Sequence, residues 1–281
     1  MKQTHTLLTL LLLAISINAV FSQKQYVIED AVLECQYKLT VVKDTLNRSQ
    51  VRSGIYTLRV GEDISQFYNQ THLNSMSLSV SEVLSHLDKA ISTNNFSSLP
   101  GAKTTVEYLY KNYPQGKITT TTILLADPFL YEEKMEKQNW IIGDSIKMIY
   151  DFKCQKAVCG FRGRQWTVWF ATDIPISDGP WKLYGLPGLI LEAYDTHKDY
   201  HYIIEGVKQN NIPPLTFYKI RNKPFEKTDR YTFLKAKHRV FFSSNPIQDV
   251  EAATGIDLSE GKVTPPREKK HNYDFIERDY Q

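Results

Sequence analysis

The sequence predicts an α+β, β-rich fold built on one curled, largely antiparallel sheet with one or two packed helices. Three observations point there. Apolar and polar residues alternate with a period of two along many short runs. The 17 Tyr and 13 Phe residues suit pleated surfaces, where rings pack and hydroxyls reach water. The connections between runs are mostly too short to hold crossover helices.

Taken in order, residues 37–42 form the first candidate strand, and Tyr56, Leu58 and Val60 then alternate with Ile55, Thr57 and Arg59. Ser79-Val80-Ser81-Glu82 has the spacing of a capping box. Beyond it Val83, Leu84, Leu87, Ala90 and Ile91 share one helical face until Asn94-Asn95, a helix expected to cover one side of the sheet. Val106, Tyr108 and Tyr110 resume the strand alternation, followed by candidates at 118–125, 129–135, 140–142, 147–152 and 165–171. Trp166, Val168 and Phe170 set against Trp169 and Ala171 describe a strand buried on both faces. Leu189, Leu191 and Ala193 alternate with Ile190, Glu192 and Tyr194, and Tyr200, Tyr202 and Ile204 with His201, Ile203 and Glu205. A second helix over 229–242 gathers Phe233, Leu234, Val240 and Phe241 on one face, leaving a basic face to solvent.

The loop over 172–187 is long for a strand connection and carries its own packing equipment. Pro175, Pro180 and Pro187 fix φ, Gly179, Gly185 and Gly188 allow positive φ or close approach, and Trp181 and Tyr184 can cap the sheet end. A rigid loop follows. One reading makes the Gly-Pro-Trp and Gly-Leu-Pro-Gly runs corner pieces. The other makes the loop the wall of a groove, with Arg162, Arg164, Trp169, Asp178 and Trp181 lining a site for a peptide, a lipid-like molecule or a partner protein. Arg162 and Arg164, two apart on an extended segment, project from one face and either clamp an anion or pair with Glu192 or Asp195.

The start of the chain reads as an export signal: Lys2 and His5, an apolar run from Leu7 to Ile17, and small residues ending at Ser22. The run is shorter than the ~20 residues that span a bilayer, and Gln23 stands where a lipoprotein needs Cys. The expected organisation is a signal peptide at 1–22, a single β-rich domain at 23–264 and a loosely held tail at 265–281, periplasmic or extracellular and not membrane-spanning. A net charge of +3 is too balanced for nucleic acid. An oxidising compartment leaves room for a disulfide between two of Cys35, Cys154 and Cys159, with one thiol over. Metal, Ser-His-Asp and paired-acid constellations lack their spacing: His197 and His201 have no third ligand, and Glu132, Glu133 and Glu136 sit in a mixed-charge stretch read as a solvated edge. No cofactor is implied.

Cys154-Gln155-Lys156-Ala157, Phe161-Arg162-Gly163-Arg164, Trp169, Ile174-Pro175-Ile176, Gly179-Pro180-Trp181-Lys182 and Gly185-Leu186-Pro187-Gly188-Leu189-Ile190, with Glu192 and Asp195, occur in the order of a linear signature. In these residues the chain resembles the GLPGLI family of Bacteroidota. The resemblance implies an exported protein without an assigned activity, whose genes often lie near outer-membrane receptors and transporters. The combined expectation is a noncatalytic envelope or secreted protein that binds an apolar small molecule, a peptide or an outer-membrane receptor or transporter component. The alternative is a hydrolase whose site assembles only in three dimensions.

Overall fold

The computed structural model describes residues 25–70, 73–74, 80–93, 106–125, 127–220, 223–242 and 273–280. The expected signal segment at 1–22 lies outside them. In chain order the elements are β1 (Gln25–Glu29), β2 (Leu33–Val42), β3 (Val51–Val60), β4 (Ser65–Asn69), α1 (Val80–Ser92), β5 (Glu107–Lys111), β6 (Lys117–Leu124) and β7 (Asp127–Lys134). There follow β8 (Ile141–Ile149), β9 (Phe152–Phe161), β10 (Arg164–Ala171), β11 (Leu189–Asp195), β12 (Tyr200–Lys208), β13 (Leu215–Tyr218), β14 (Glu226–Asp229) and α2 (Arg230–Phe242). Twelve strands form one sheet in the order β14-β7-β6-β5-β4-β3-β2-β12-β11-β10-β9-β8, and β1 pairs with β13 as a separate ribbon. All pairings are antiparallel except β14 with β7. The sheet is not closed: β14 and β8 are its two ends.

The register carries one buried face across the sheet. Val168 stands opposite Ala193, Ala193 opposite Tyr202, and Tyr202 opposite Leu39. Farther along, Leu58 faces Phe67, Phe67 faces Leu109, and the row ends at Thr120 and Tyr131. We call this side inner. The loop 172–187 packs against it with Ile174, Trp181, Leu183 and Leu186, all buried, and burial of this much apolar surface is the main driving force for the fold. The other side is covered over β4–β6 by the β1–β13 ribbon: Tyr110 stacks on Phe217 at 5.0 Å and Tyr108 on Tyr218 at 4.7 Å between ring centroids. The buried Tyr110 hydroxyl accepts the Tyr218 N–H at 3.0 Å, satisfying its polar atom. Helix α2 sets Phe233 on Phe129 and Tyr131.

Several expectations are corrected. β10 is buried on one side, not two: outward Gln165 is exposed, and Thr167 and Trp169 are half-buried. The runs at 140–142 and 147–152 join as β8, with a register break between Ile142 and Ile146, and Phe152 opens β9. Arg162 and Gly163 adopt φ +52° and +75° in the tight turn between β9 and β10, so the two arginines do not sit on one extended face. Of the tail expected over 265–281, residues 273–280 are described, and Glu277 and Tyr280 among them are buried. The basic face of α2 is not wholly solvated: Arg230 is buried. All three cysteines are buried free thiols. Cys154 and Cys159 lie five positions apart on one extended strand, roughly 16 Å, beyond bridging distance. For α1, Leu87 is half-buried, and the side chains at 83, 84, 90 and 91 lie outside the described residues.

Gly188 shows why the loop needs glycine. A Cβ there would fall on the carbonyl of Ala171, 2.7 Å from its carbon, and one on Gly179 would lie 2.7 Å from Cβ of Ile190. The first obstacle is backbone and cannot swing aside. Gly188→Val is expected to lower stability by about 3 kcal/mol or more, read as a fall in melting temperature, while Gly206→Ala, with nothing within 4 Å of its Cβ position, stays near wild type.

Candidate functional site

The outer side of β9–β12 keeps Lys156, Val158, Thr167, Trp169, Tyr194, His201 and Ile203 half-exposed. Directly opposed positions form two rows. Lys156, Trp169, Glu192, Ile203 and Lys38 make one across five strands. Val158, Thr167, Tyr194, His201 and Thr40 make the next. Lateral pairs of this kind stabilise a sheet through side-chain contact, and here they also set aromatic rings beside charges. Lys147 of β8 reaches over the Trp169 ring, 4.5 Å from its centroid, and bonds to Glu192. His201 Nε2 lies 2.8 Å from the other oxygen of that carboxylate, and the Tyr194 ring meets His201 edge-on at 5.6 Å.

Glu192 is the centre of this group. Burial pushes its carboxyl up, but the bonds from His201 and Lys147 outweigh burial and hold it below the ordinary carboxylate range. The Trp169 Nε1 atom is buried without a hydrogen-bond partner among the described residues, a cost that native proteins usually avoid. The surface is therefore an aromatic and apolar platform with an anion clasped by two bases at its middle.

The inner side is different in kind. Lys182, 1% exposed at its side chain, lies between Glu133 of β7 and Glu277, the latter at 2.7 Å. Glu277 also binds Arg230 of α2, and Arg162 pairs with Glu133 and with Asp279 at 3.3 Å. Arg164 bonds Asp195 at 2.6 Å, Asp274 at 2.9 Å, and the carbonyls of Phe275 and Ile276 at 2.6 and 2.8 Å. Magnitudes separate the two buried lysines. Burial lowers the Lys182 ammonium's affinity for its proton, yet two carboxylates raise it far above the usual range. For Lys111, burial wins over the single carboxylate of Asp178, and its pKa stays below the ordinary value.

Of the residues expected to line one groove, only Trp169 is on the outer platform. Trp181 is buried against Trp166 and Phe161 with its backbone at φ +54°. Asp178 holds Lys111 and takes the Gly179 N–H at 2.6 Å. Arg164 pairs with Asp195, as one reading expected, whereas Glu192 is taken by Lys147 and His201. Glu133, expected on a solvated edge, is buried. Sequence reasoning missed Lys147, Tyr194, His201 and Ile203 as one surface. The signal was there in the outward parity of 192, 194, 201 and 203, but the pairing of β10 with β11 and β12 is a long-range fact. Among the described residues no group of three His, Cys, Asp or Glu side chains is arranged to hold a metal ion.

The clasp on the inner side has a pH signature. Glu277 titrates below its ordinary 4.5 in the folded chain because Lys182 and Arg230 outweigh its burial. Its contribution is complete above pH 4.5 and is lost as the pH falls through the folded value. Glu277→Gln should cost about 3 kcal/mol at pH 7, and the gap from wild type should narrow in denaturant titrations below pH 4.5.

Residues 161–192, which span the β9–β10 turn, the rigid loop and most of β11, match the family described as "Protein of unknown function (Porph_ging)". No curated protein matches the chain. Among solved structures, those described as "Structure of PNGF-II in P21 space group" and "Structure of PNGF-II in C2 space group" are 13% and 15% identical, with TM-scores of 0.48 and 0.47. They align over 73% and 72% of this chain and 32% of their own, so the chain spans about a third of the length of those structures.

Proposed function

We propose that this chain is an exported, noncatalytic binding protein that engages a partner polypeptide through the outer platform of β9–β12. The observation that carries the reading is Trp169. It is a half-exposed indole on the outer sheet face, flanked by Val158, Tyr194 and Ile203 and by the Lys147–Glu192–His201 cluster. Aromatic anchors set among charges that fix orientation are the usual content of a recognition surface. The inner cations, by contrast, are committed to carboxylates of the same chain. Export rests on the apolar run from Leu7 to Ile17 and the small residues after it. An outer-membrane receptor or transporter component fits such a partner.

The His201–Glu192 contact is the one feature that favours a hydrolase, since a carboxylate beside an imidazole is how a general base is oriented. Lys147 on the same carboxylate favours the structural role.

Panning a phage-displayed peptide library on the full chain tests the binding reading. Enriched peptides should lose at least about tenfold in affinity to Trp169→Ala, the loss typical of an aromatic anchor, measured at a temperature below the variant's own cooperative unfolding transition. Equal binding to the variant overturns the reading. Hydrolysis of a panel of ester and amide substrates that is abolished by His201→Gln would establish the alternative.

A further inference from the structure

The row Lys156, Trp169, Glu192, Ile203 and Lys38 has an order that selects its occupant. Cations stand at its two ends, an aromatic and an apolar side chain one step inside them, and a carboxylate at the centre. Lys38 is exposed and Lys156 half-buried, and neither has a carboxylate partner among the described residues. Glu192 differs. Lys147 and His201 already hold it, so it needs no further cation and repels an anion placed over it. The exposed carboxylate of these strands, Glu205, lies off the row at the irregularity of β12.

The spacing of the row matches that of an extended polypeptide laid across it. Strands lie ~4.8 Å apart, so the four steps from Lys156 to Lys38 cover roughly 19 Å. An extended segment turns every second side chain to the same face, ~6.6 Å apart, and three such steps cover roughly 20 Å. The ends therefore coincide. Between them, the two inner side chains of the segment fall within about 2 Å of Trp169 and Ile203 along the row, and none falls over Glu192.

Resting on the reading that this platform engages a polypeptide, we infer that its occupant is an extended acidic segment crossing the strands. Its two carboxylates stand six residues apart, with an apolar side chain two residues inside each. The carboxylates meet Lys156 and Lys38, and the apolar pair meets Trp169 and Ile203. Because the row reads nearly alike from both ends, either chain direction fits. Complementary charge at the ends fixes register, while the aromatic and apolar contacts between them supply affinity.

Two peptides of one composition test the order directly. Glu-Ser-Leu-Ser-Leu-Ser-Glu and Leu-Ser-Glu-Ser-Glu-Ser-Leu, acetylated and amidated so that their termini carry no charge, are titrated into the full wild-type chain by NMR. The first should bind at least about tenfold more tightly at ~0.05 M salt, and that advantage should shrink at least about threefold at ~0.5 M. The double reversal of Lys38→Glu with Lys156→Glu should invert the preference, favouring Lys-Ser-Leu-Ser-Leu-Ser-Lys over the acidic parent. Equal affinity of the two acidic peptides for wild type overturns the inference, as does binding of neither. So does a folded double-reversal chain that keeps the wild-type preference; the wild-type comparison stands without that variant. Panned peptides that depend on Trp169 but lack the acidic spacing sink this inference alone, whereas indifference of every peptide to Trp169→Ala sinks the platform reading.

Discussion

The buried ammonium of Lys182 is the constraint on which the rest of the molecule depends. It sits in the rigid loop, and its two carboxylate partners come from β7 and from the C-terminal segment. A charge in that position costs several kcal/mol of desolvation unless both partners are present. Loop, strand and terminal segment must therefore be in place together. Arg230, bound to Glu277 and Asp279, ties α2 into the same arrangement.

Around that point the loop acts as internal filling of the sheet. Its Asp178 reaches Lys111 on β5, its Trp181 meets Trp166 on β10, and the Tyr37 hydroxyl of β2 donates to the carbonyl of Ile190 at 2.7 Å just beyond it. Strands far apart in sheet order are thus held to one short stretch of chain. The glycines of that stretch serve approach more than flexibility: Gly188 lies on the Ala171 backbone and Gly179 on Ile190. With the inner side so occupied, the surface left for recognition is the opposite side of β9–β12.

Much of the strand content was legible because alternation reports one-sided burial directly. Tyr37, Leu58, Trp166 and Tyr202 all face inward as their parity predicts. Helix α2 was legible from its apolar spacing, and its start at Arg230 falls within one residue of the expected one. β1, β4, β13 and β14 are short, four or five residues each, and too brief for a period to stand out. The site was less legible. Arg162, Arg164, Asp178 and Trp181 carry the residue types of a binding groove, yet their partners Glu133, Asp195, Asp274 and Asp279 are near only after folding. Charge pairing across separations of 29 to 117 positions leaves no local pattern. Nothing local in the C-terminal segment announces that Asp274, Glu277 and Asp279 are the counter-ions of the inner cations.

The ribbon of β1 and β13 joins residues near position 25 to residues near 218. A chain emerging from a ribosome or a translocation pore cannot cover the tyrosines of β4 and β5 until β13 has arrived, and cannot neutralise Lys182 until Glu277 has followed. Contacts of such long sequence separation make folding late and all-or-none. A nascent polypeptide of this sequence stays unlocked, and so threadable, until nearly its whole length is released.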